Sequence, residues 1–367
     1  MKSFSYERAT DPAQAVALLS RHPGARFLGG GTNLVDLMKL GVETPGHLVD
    51  IARLPLDRVE ETADGGLLIG ATVRNSDLAA DPAVRTRFPV LSQALLAGAS
   101  GQLRNSATTG GNLLQRTRCP YFQDVTKPCN KRRPGSGCPA REGAHRDLAV
   151  LGHSEACVAT HPSDMAVALA ALDADVLLLG PDGERTVPLT EFHRLPGDRP
   201  DRDTVIRPGE LVTAVRLPAS AAGLPSAYRK ARDRASYAFA LASAAVALDV
   251  RDGVVRDVRL AFGGLAHKPW RATVAEAALR GGPATADAFR HAVETELAAA
   301  RPLRDNGFKV PMARNLAVRL LTELADPGAS AVDPADPRRS GPRPTGLRPT
   351  NAPPTDDRPT DDRRGDR

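Results

Sequence analysis

All four cysteines of the chain, Cys119, Cys129, Cys138 and Cys157, fall in one short stretch that directly follows the glycine-rich turn Thr108-Thr109-Gly110-Gly111-Asn112. Nine, eight and eighteen residues separate neighbouring cysteines. That spacing excludes any C-x-x-C element, so neither a zinc ribbon nor a ferredoxin-type run fits. The backbone between them is broken by Pro120, Pro128, Pro134, Gly135, Gly137 and Pro139, which rules out long helices or strands and leaves a wrapping loop. An even count permits disulfides, but a disulfide framework suits a small secreted domain rather than a chain of 367 residues. Spacing alone admits an iron–sulfur cluster, a zinc site or unconnected thiols.

A chain of this length divides into two or three domains. No apolar run approaches the roughly 20 residues that cross a bilayer, so no membrane insertion is expected. Met1–Glu7 has no apolar h-region and no twin arginine, so no export signal is expected in this chain. The formal charge is +6, and the stretch from Arg116 to Arg146 carries eight basic residues against two acidic ones, a surplus equal to the whole excess. The stretch has no nucleic-acid reader motif, and nucleic acid is not expected as a partner. Its cations are expected either to offset a negative metal–thiolate centre or to form a docking face for an acidic partner.

Hydrophobic patterning and turn residues divide the chain into residues 1–57, 58–220, 224–325 and 326–367. In the first unit, Asp11 and Pro12 open a helix over 13–20, Arg26–Leu28 is a strand, a helix runs from Leu34 to Leu40, and 48–51 is a second strand. In the second, 67–73 is a strand, 76–79 begins a short helix and 84–97 forms a longer one. Ser163 there caps a helix to Leu172, and 174–179 and 211–217 are strands. The third unit pairs strands 238–249 and 254–262 across Asp252-Gly253. The last 42 residues hold nine prolines, eight Asp and eight Arg with almost nothing apolar, and are expected to be a disordered tail.

Two glycine loops carry chemistry. Gly29-Gly30-Gly31-Thr32-Asn33 follows a strand and precedes a helix, so its backbone can approach a pyrophosphate closely. It is not a G-x-G-x-x-G fingerprint, because Leu34 stands at the last glycine, and a plain tight turn is the competing reading. The second loop, 108–112, adds two threonine hydroxyls and an asparagine amide, and the two together suggest one long polar ligand gripped at both ends. No Ser–His–Asp or paired-carboxylate arrangement stands out, so no catalytic residue is assigned.

The chain resembles the FAD-binding subunits of the molybdenum hydroxylases, the xanthine dehydrogenase family. The likeness covers about residues 1–325 and rests on Gly29–Leu34, Gly70-Ala71-Thr72, Arg104–Leu113, Pro162–Met165, Glu210-Leu211-Val212, Tyr228-Arg229-Lys230 and Phe262-Gly263-Gly264. Around Asn112–Cys119 and Cys157–Asp164 it is similar to the bacterial aldehyde oxidoreductases whose flavin subunit also holds a [4Fe–4S] cluster. The resemblance implies an α+β fold. A two-part FAD-binding domain of the vanillyl-alcohol-oxidase type (1–57 and 58–220, with a cysteine insert at 116–157) would precede a smaller α/β C-terminal domain at 224–325. It further implies that Cys119, Cys129, Cys138 and Cys157 ligate the cluster. Arg26, Phe27, Leu28, Gly29, Gly30, Gly31, Thr32, Asn33 and Leu34 would hold the FAD pyrophosphate, and Thr108, Gly111 and Asn112 would form the second loop on the cofactor. Asp164 would bond its polar groups, Lys230 would lie near the flavin ring, and the strand containing Val215 would line that ring. The implied partners are a large molybdenum-cofactor subunit, a small subunit with two [2Fe–2S] clusters and an external electron acceptor. The implied function is electron transfer from aldehyde oxidation, in the periplasm by co-export with a signal-bearing partner or in the cytoplasm. A free-standing flavin oxidoreductase and a zinc-stapled binding module are the competing readings.

Overall fold

The computed structural model describes residues 1–326, so the expected disordered tail lies outside the described residues but for Asp326. Strands β1 (Ser5–Arg8), β2 (Arg26–Leu28) and β3 (His47–Asp50) form a parallel sheet in the order β1-β3-β2. The crossover helix Pro12–Arg21 starts as its sequence demands: the Asp11 side chain accepts from the Gln14 N–H at 2.8 Å and Pro12 occupies the first turn. Its buried face is Ala15, Val16 and Leu18. β2 runs directly into Gly29–Gly31, and helix Leu34–Lys39 follows.

The second sheet is antiparallel, in the order β4-β5-β8-β6-β7, built from β4 (Val59–Glu61), β5 (Leu67–Gly70), β6 (Asp175–Gly180), β7 (Gly183–Pro188) and β8 (Leu211–Leu217). β5 ends at Gly70 rather than at residue 73, where the Leu56 carbonyl crosses so closely that a Cβ on Gly70 would lie 2.0 Å from its oxygen. The single helix expected over 84–97 is two, Pro82–Arg87 and Pro89–Ala97. Pro89 has no N–H to continue the first helix and its ring would clash with the preceding turn, so the chain breaks at Phe88. Helix Asp164–Ala171 is buried on all sides, with the Ser163 hydroxyl accepting from the Ala166 N–H at 3.0 Å.

The third sheet has the order β12-β11-β10-β9, from β9 (Ser226–Ala231), β10 (Ala242–Arg251), β11 (Val254–Gly263) and β12 (Trp270–Arg271). The hairpin turn has positive φ at both Asp252 (55°) and Gly253 (73°), the backbone that matches strand twist. The strand expected over 238–249 instead begins at Ala242, and residues 238–241 form part of a cleft wall. β9 was not expected, because its Tyr-Arg-Lys centre masks a strand whose first four positions alternate buried and half-buried. Helices Thr273–Leu279, Ala286–Leu297 and Lys309–Ala325 cover this sheet around Phe262, Phe289 and Val293, all fully buried. Burial of side chains of this size contributes about 1.5–3 kcal/mol each. Among the described residues no helix is long and apolar enough to cross a membrane.

Candidate functional site

The two glycine loops meet. A Cβ on Gly30 would stand 1.8 Å from the Ser106 backbone oxygen, and one on Gly29 would stand 3.0 Å from Thr108 Oγ1. The Ser106 hydroxyl donates to the Gly30 carbonyl at 2.9 Å, tying the loops together across the domain. Gly31 sits at φ 72°, a left-handed backbone that glycine adopts without strain. Thr108 Oγ1 accepts from the Gly111 N–H at 3.2 Å, and a Cβ on Gly111 would crowd that oxygen at 2.9 Å. Asn33 accepts from the Arg116 N–H at 2.8 Å through its Oδ1, while its Nδ2 is buried with no protein partner. A cradle without side chains, with one buried donor left over, fits a polar ligand such as a pyrophosphate. Arg26 is exposed beside it, and Phe27, Leu28, Thr32 and Leu34 are half-buried.

A hydrogen-bonded chain leads from these loops to a second feature. Asn112 Oδ1 accepts from Gln115 at 2.8 Å and from the Ser163 hydroxyl at 2.6 Å, and its Nδ2 donates to Asn75 at 2.7 Å. Ser163 and Asp164 line a cleft walled also by Arg118, Phe239 and Gly264. Asp164 is buried, accepting from the Tyr228 hydroxyl at 2.5 Å and from Lys230 Nζ at 2.8 Å. Burial and the neighbouring carboxylate push the Tyr228 phenol well above its usual value. Lys230, 3 % exposed at its side chain, also donates to the Ala97 carbonyl, so its charge is spent within the protein. Val215 is not brought to these groups: it is wholly buried in the core of the second sheet, paired with Ile69 and Val176.

All four thiols line one cavity, with Phe122, Pro139 and Ala159 supplying apolar walls. Cys119, Cys129 and Cys157 are buried and Cys138 half-buried, and none is in a disulfide. Burial pushes the Cys119 thiol up to about 11. A hydrogen bond between Cys138 and Cys157 pushes Cys157 up and Cys138 down. Among the described residues no three of these sulfurs lie within 4.8 Å of one another. Four thiols lining one apolar pocket are a donor set that either an iron–sulfur cluster or a zinc ion would take.

The surrounding cations are mostly tied down. Arg116 pairs with Glu43 and Asp203, each at 2.7 Å, and Lys131 pairs with Asp203 at 2.5 Å. Burial opposes ionisation of Asp203, but Lys131 and Arg116 together hold its carboxyl far below the usual range. Arg132 donates to the carbonyls of Tyr121, Phe122 and Asp124 and thereby folds the loop onto itself. The segment is therefore chiefly an internal brace rather than a free basic face.

Several contributors were not legible in the sequence. His267 Nε2 lies 3.2 Å from Cys157 Sγ, and its imidazole stays neutral because burial depresses its pKa. Half-buried His161 and buried His193 lie beside it with ring centres 4.3 Å apart and planes tilted by 54°, in a small cavity that also holds Lys131 and Asp203. Asn306 and Lys309, from the C-terminal domain, donate to carbonyls at 145–149. No local motif marks any of these residues. A separate group, Glu7, His22 and His47, has its ligand atoms within 4.8 Å. Its two imidazoles are stacked at 3.9 Å and only 17° from parallel, so their in-plane lone pairs cannot converge on one ion.

Comparison with known proteins identifies the family. The FAD binding domain in molybdopterin dehydrogenase matches residues 2–220, and the CO dehydrogenase flavoprotein C-terminal domain matches residues 226–325. The chain is 54% identical over 324 residues to the aldehyde oxidoreductase FAD-binding subunit PaoB of Escherichia coli (strain K12), covering 88% of this chain and 98% of that protein. It is 28% identical to the carbon monoxide dehydrogenase medium chain of Hydrogenophaga pseudoflava, over 87% of this chain and 96% of that one. The solved carbon monoxide dehydrogenase of that organism superposes with a TM-score of 0.69 at 29% identity, over 87% of this chain and 96% of that chain. A reconstituted CO dehydrogenase from Oligotropha carboxidovorans superposes with a TM-score of 0.70 at 26% identity, over 88% of this chain and 98% of that chain. The chain thus belongs to the FAD-binding subunits of the molybdenum hydroxylases, and is an oxidoreductase subunit with the α+β fold of that family.

Proposed function

We propose that this chain is the FAD- and [4Fe–4S]-binding electron-transfer subunit of a heterotrimeric molybdenum-containing aldehyde oxidoreductase. Its partners would be a large molybdenum-cofactor subunit and a small subunit with two [2Fe–2S] clusters, and electrons would leave to an external acceptor. The observation that carries this reading is the cavity lined by all four thiols, entered from the chain directly after the second glycine loop. The similarity to an aldehyde oxidoreductase subunit supports the substrate class.

Bound FAD supplies two-electron chemistry and a bound cluster one-electron chemistry. This chain's residues supply position and charge. Residues 29–33 and 108–112 cradle the pyrophosphate with backbone groups, and Asn33 Nδ2 offers its unpartnered donor. Asn112 and Ser163 carry the grip to the cleft, where Asp164 presents a fixed carboxylate and the flavin ring would sit. Cys119, Cys129, Cys138 and Cys157 hold the cluster in an apolar pocket, with His267 bonded to one ligand sulfur.

The visible absorption spectrum of anaerobically purified protein, before and after dithionite, tests this. The expected result is a flavin spectrum over a broad iron–sulfur shoulder, both bleaching on reduction. Flavin alone would remove the cluster from the reading, and a colourless zinc protein would remove electron transfer altogether.

A further inference from the structure

The free positive charge at the cleft is not on the lysine that the sequence points to. Lys230 is neutralised by Asp164 at 2.8 Å and is not among the residues lining the cleft. Arg118 lines it, with its guanidinium 4.9 Å from the Phe239 ring centre, and makes no ion pair among the described residues. The next residue in the chain, Cys119, reaches into the thiol cavity. Asp36 offsets the charge of Arg118 only from beyond ion-pair distance, and a partly desolvated cation is stabilised when an anion arrives beside it.

We infer that Arg118 is the cation that stabilises negative charge on the reduced flavin in this cleft. The inference rests on the FAD reading above. Uptake of two electrons and one proton leaves the ring system with one negative charge, and a guanidinium already fixed by Phe239 meets that charge without rearranging. Arg118 therefore favours the reduced over the oxidised cofactor, while Lys230 acts by holding Asp164. A thiolate-bound cluster reached through Cys119 is the other anion within reach, and measuring both centres separates them.

The test is an anaerobic dithionite titration of the full-length chain, following flavin by absorbance and the iron centre by electron paramagnetic resonance. Arg118→Gln is expected to lower the flavin reduction equilibrium constant at least tenfold, about 30 mV for a two-electron couple, with FAD and iron contents unchanged. Arg118→Lys is expected to keep most of the wild-type value, since charge rather than the fork is what counts, and it decides the matter if Arg118→Gln loses its FAD. A flavin equilibrium unchanged in a loaded Arg118→Gln chain, or a shift confined to the iron centre, would overturn the inference and leave the FAD reading intact. So would a Lys variant lowered tenfold. A wild-type chain without flavin would overturn both.

Discussion

The glycine loops and the cysteine loop solve opposite problems. The glycine loops work through what is missing: removing Cβ atoms lets two backbones touch at Gly30 and Ser106. They need few outside contacts, and their chemistry is written in consecutive residues. The cysteine loop works through what is present. Its four thiols come from separate turns with little regular structure, only Pro120–Gln123 and the single turn Pro139–Arg141 near the first three. It is held from outside by Asp203, His267, Asn306 and Lys309. A site made by backbone is local, whereas a site made by side chains on an irregular loop borrows its rigidity from distant parts of the chain.

That contrast can be broken at single residues. The largest effect is expected in the glycine cradle. Gly30→Ala puts a Cβ against a backbone oxygen that cannot rotate away, and FAD affinity should fall roughly hundredfold, about 3 kcal/mol. FAD released per chain checks it, and full occupancy would show that these loops are not the cofactor's cradle. Next is Asp203→Asn, which strands Lys131 and Arg116 without their shared carboxylate. Breaking such a group costs about 3–5 kcal/mol, and urea unfolding should show it. Acid reads the same contact. Asp203 is depressed in the fold, so its contribution is present above the unfolded carboxylate range, near about 3.9, and is lost as pH falls through the lower folded value. Stability that did not decline in acid would speak against the brace.

Lys309→Met should cost on the order of 3 kcal/mol, because charged-group hydrogen bonds are lost and buried acceptors go unpaired. Lys309 donates to Asp147, Leu148 and Gly264 carbonyls, so the loss should also loosen the cysteine loop, seen as faster amide exchange there. Unchanged exchange at 145–149 would mean the loop holds itself. Smallest is Thr108→Ala, which removes one cap to the Gly111 N–H, about 1 kcal/mol, measured as a small drop in melting temperature.

The same contrast explains what could be read from the sequence. Helix Pro12–Arg21, the Ser163 cap, β2 with its glycine loop and the Asp252-Gly253 hairpin were all legible, because their signals lie within a few residues. The break at Pro89 was legible in principle, and the apolar run through it hid the stop. β9 was hidden by its polar centre, and the neutralisation of Lys230 by Asp164 joins residues 66 apart. The four cysteines were conspicuous as residues, but their convergence depends on contacts about 160 positions away, such as Asn306 to the His145 carbonyl. No local pattern reports such a contact.

The central claim is that the cysteine loop holds a polynuclear iron–sulfur centre beside a flavin. Iron, acid-labile sulfide, zinc and FAD should be quantified together in the anaerobically purified full-length chain and in Cys129→Ser. The account predicts about four iron and four sulfide per FAD, as a [4Fe–4S] centre requires, with no stoichiometric zinc and with iron lost but FAD kept in the variant. One zinc per chain without sulfide, or iron unaffected by Cys129→Ser, would contradict it.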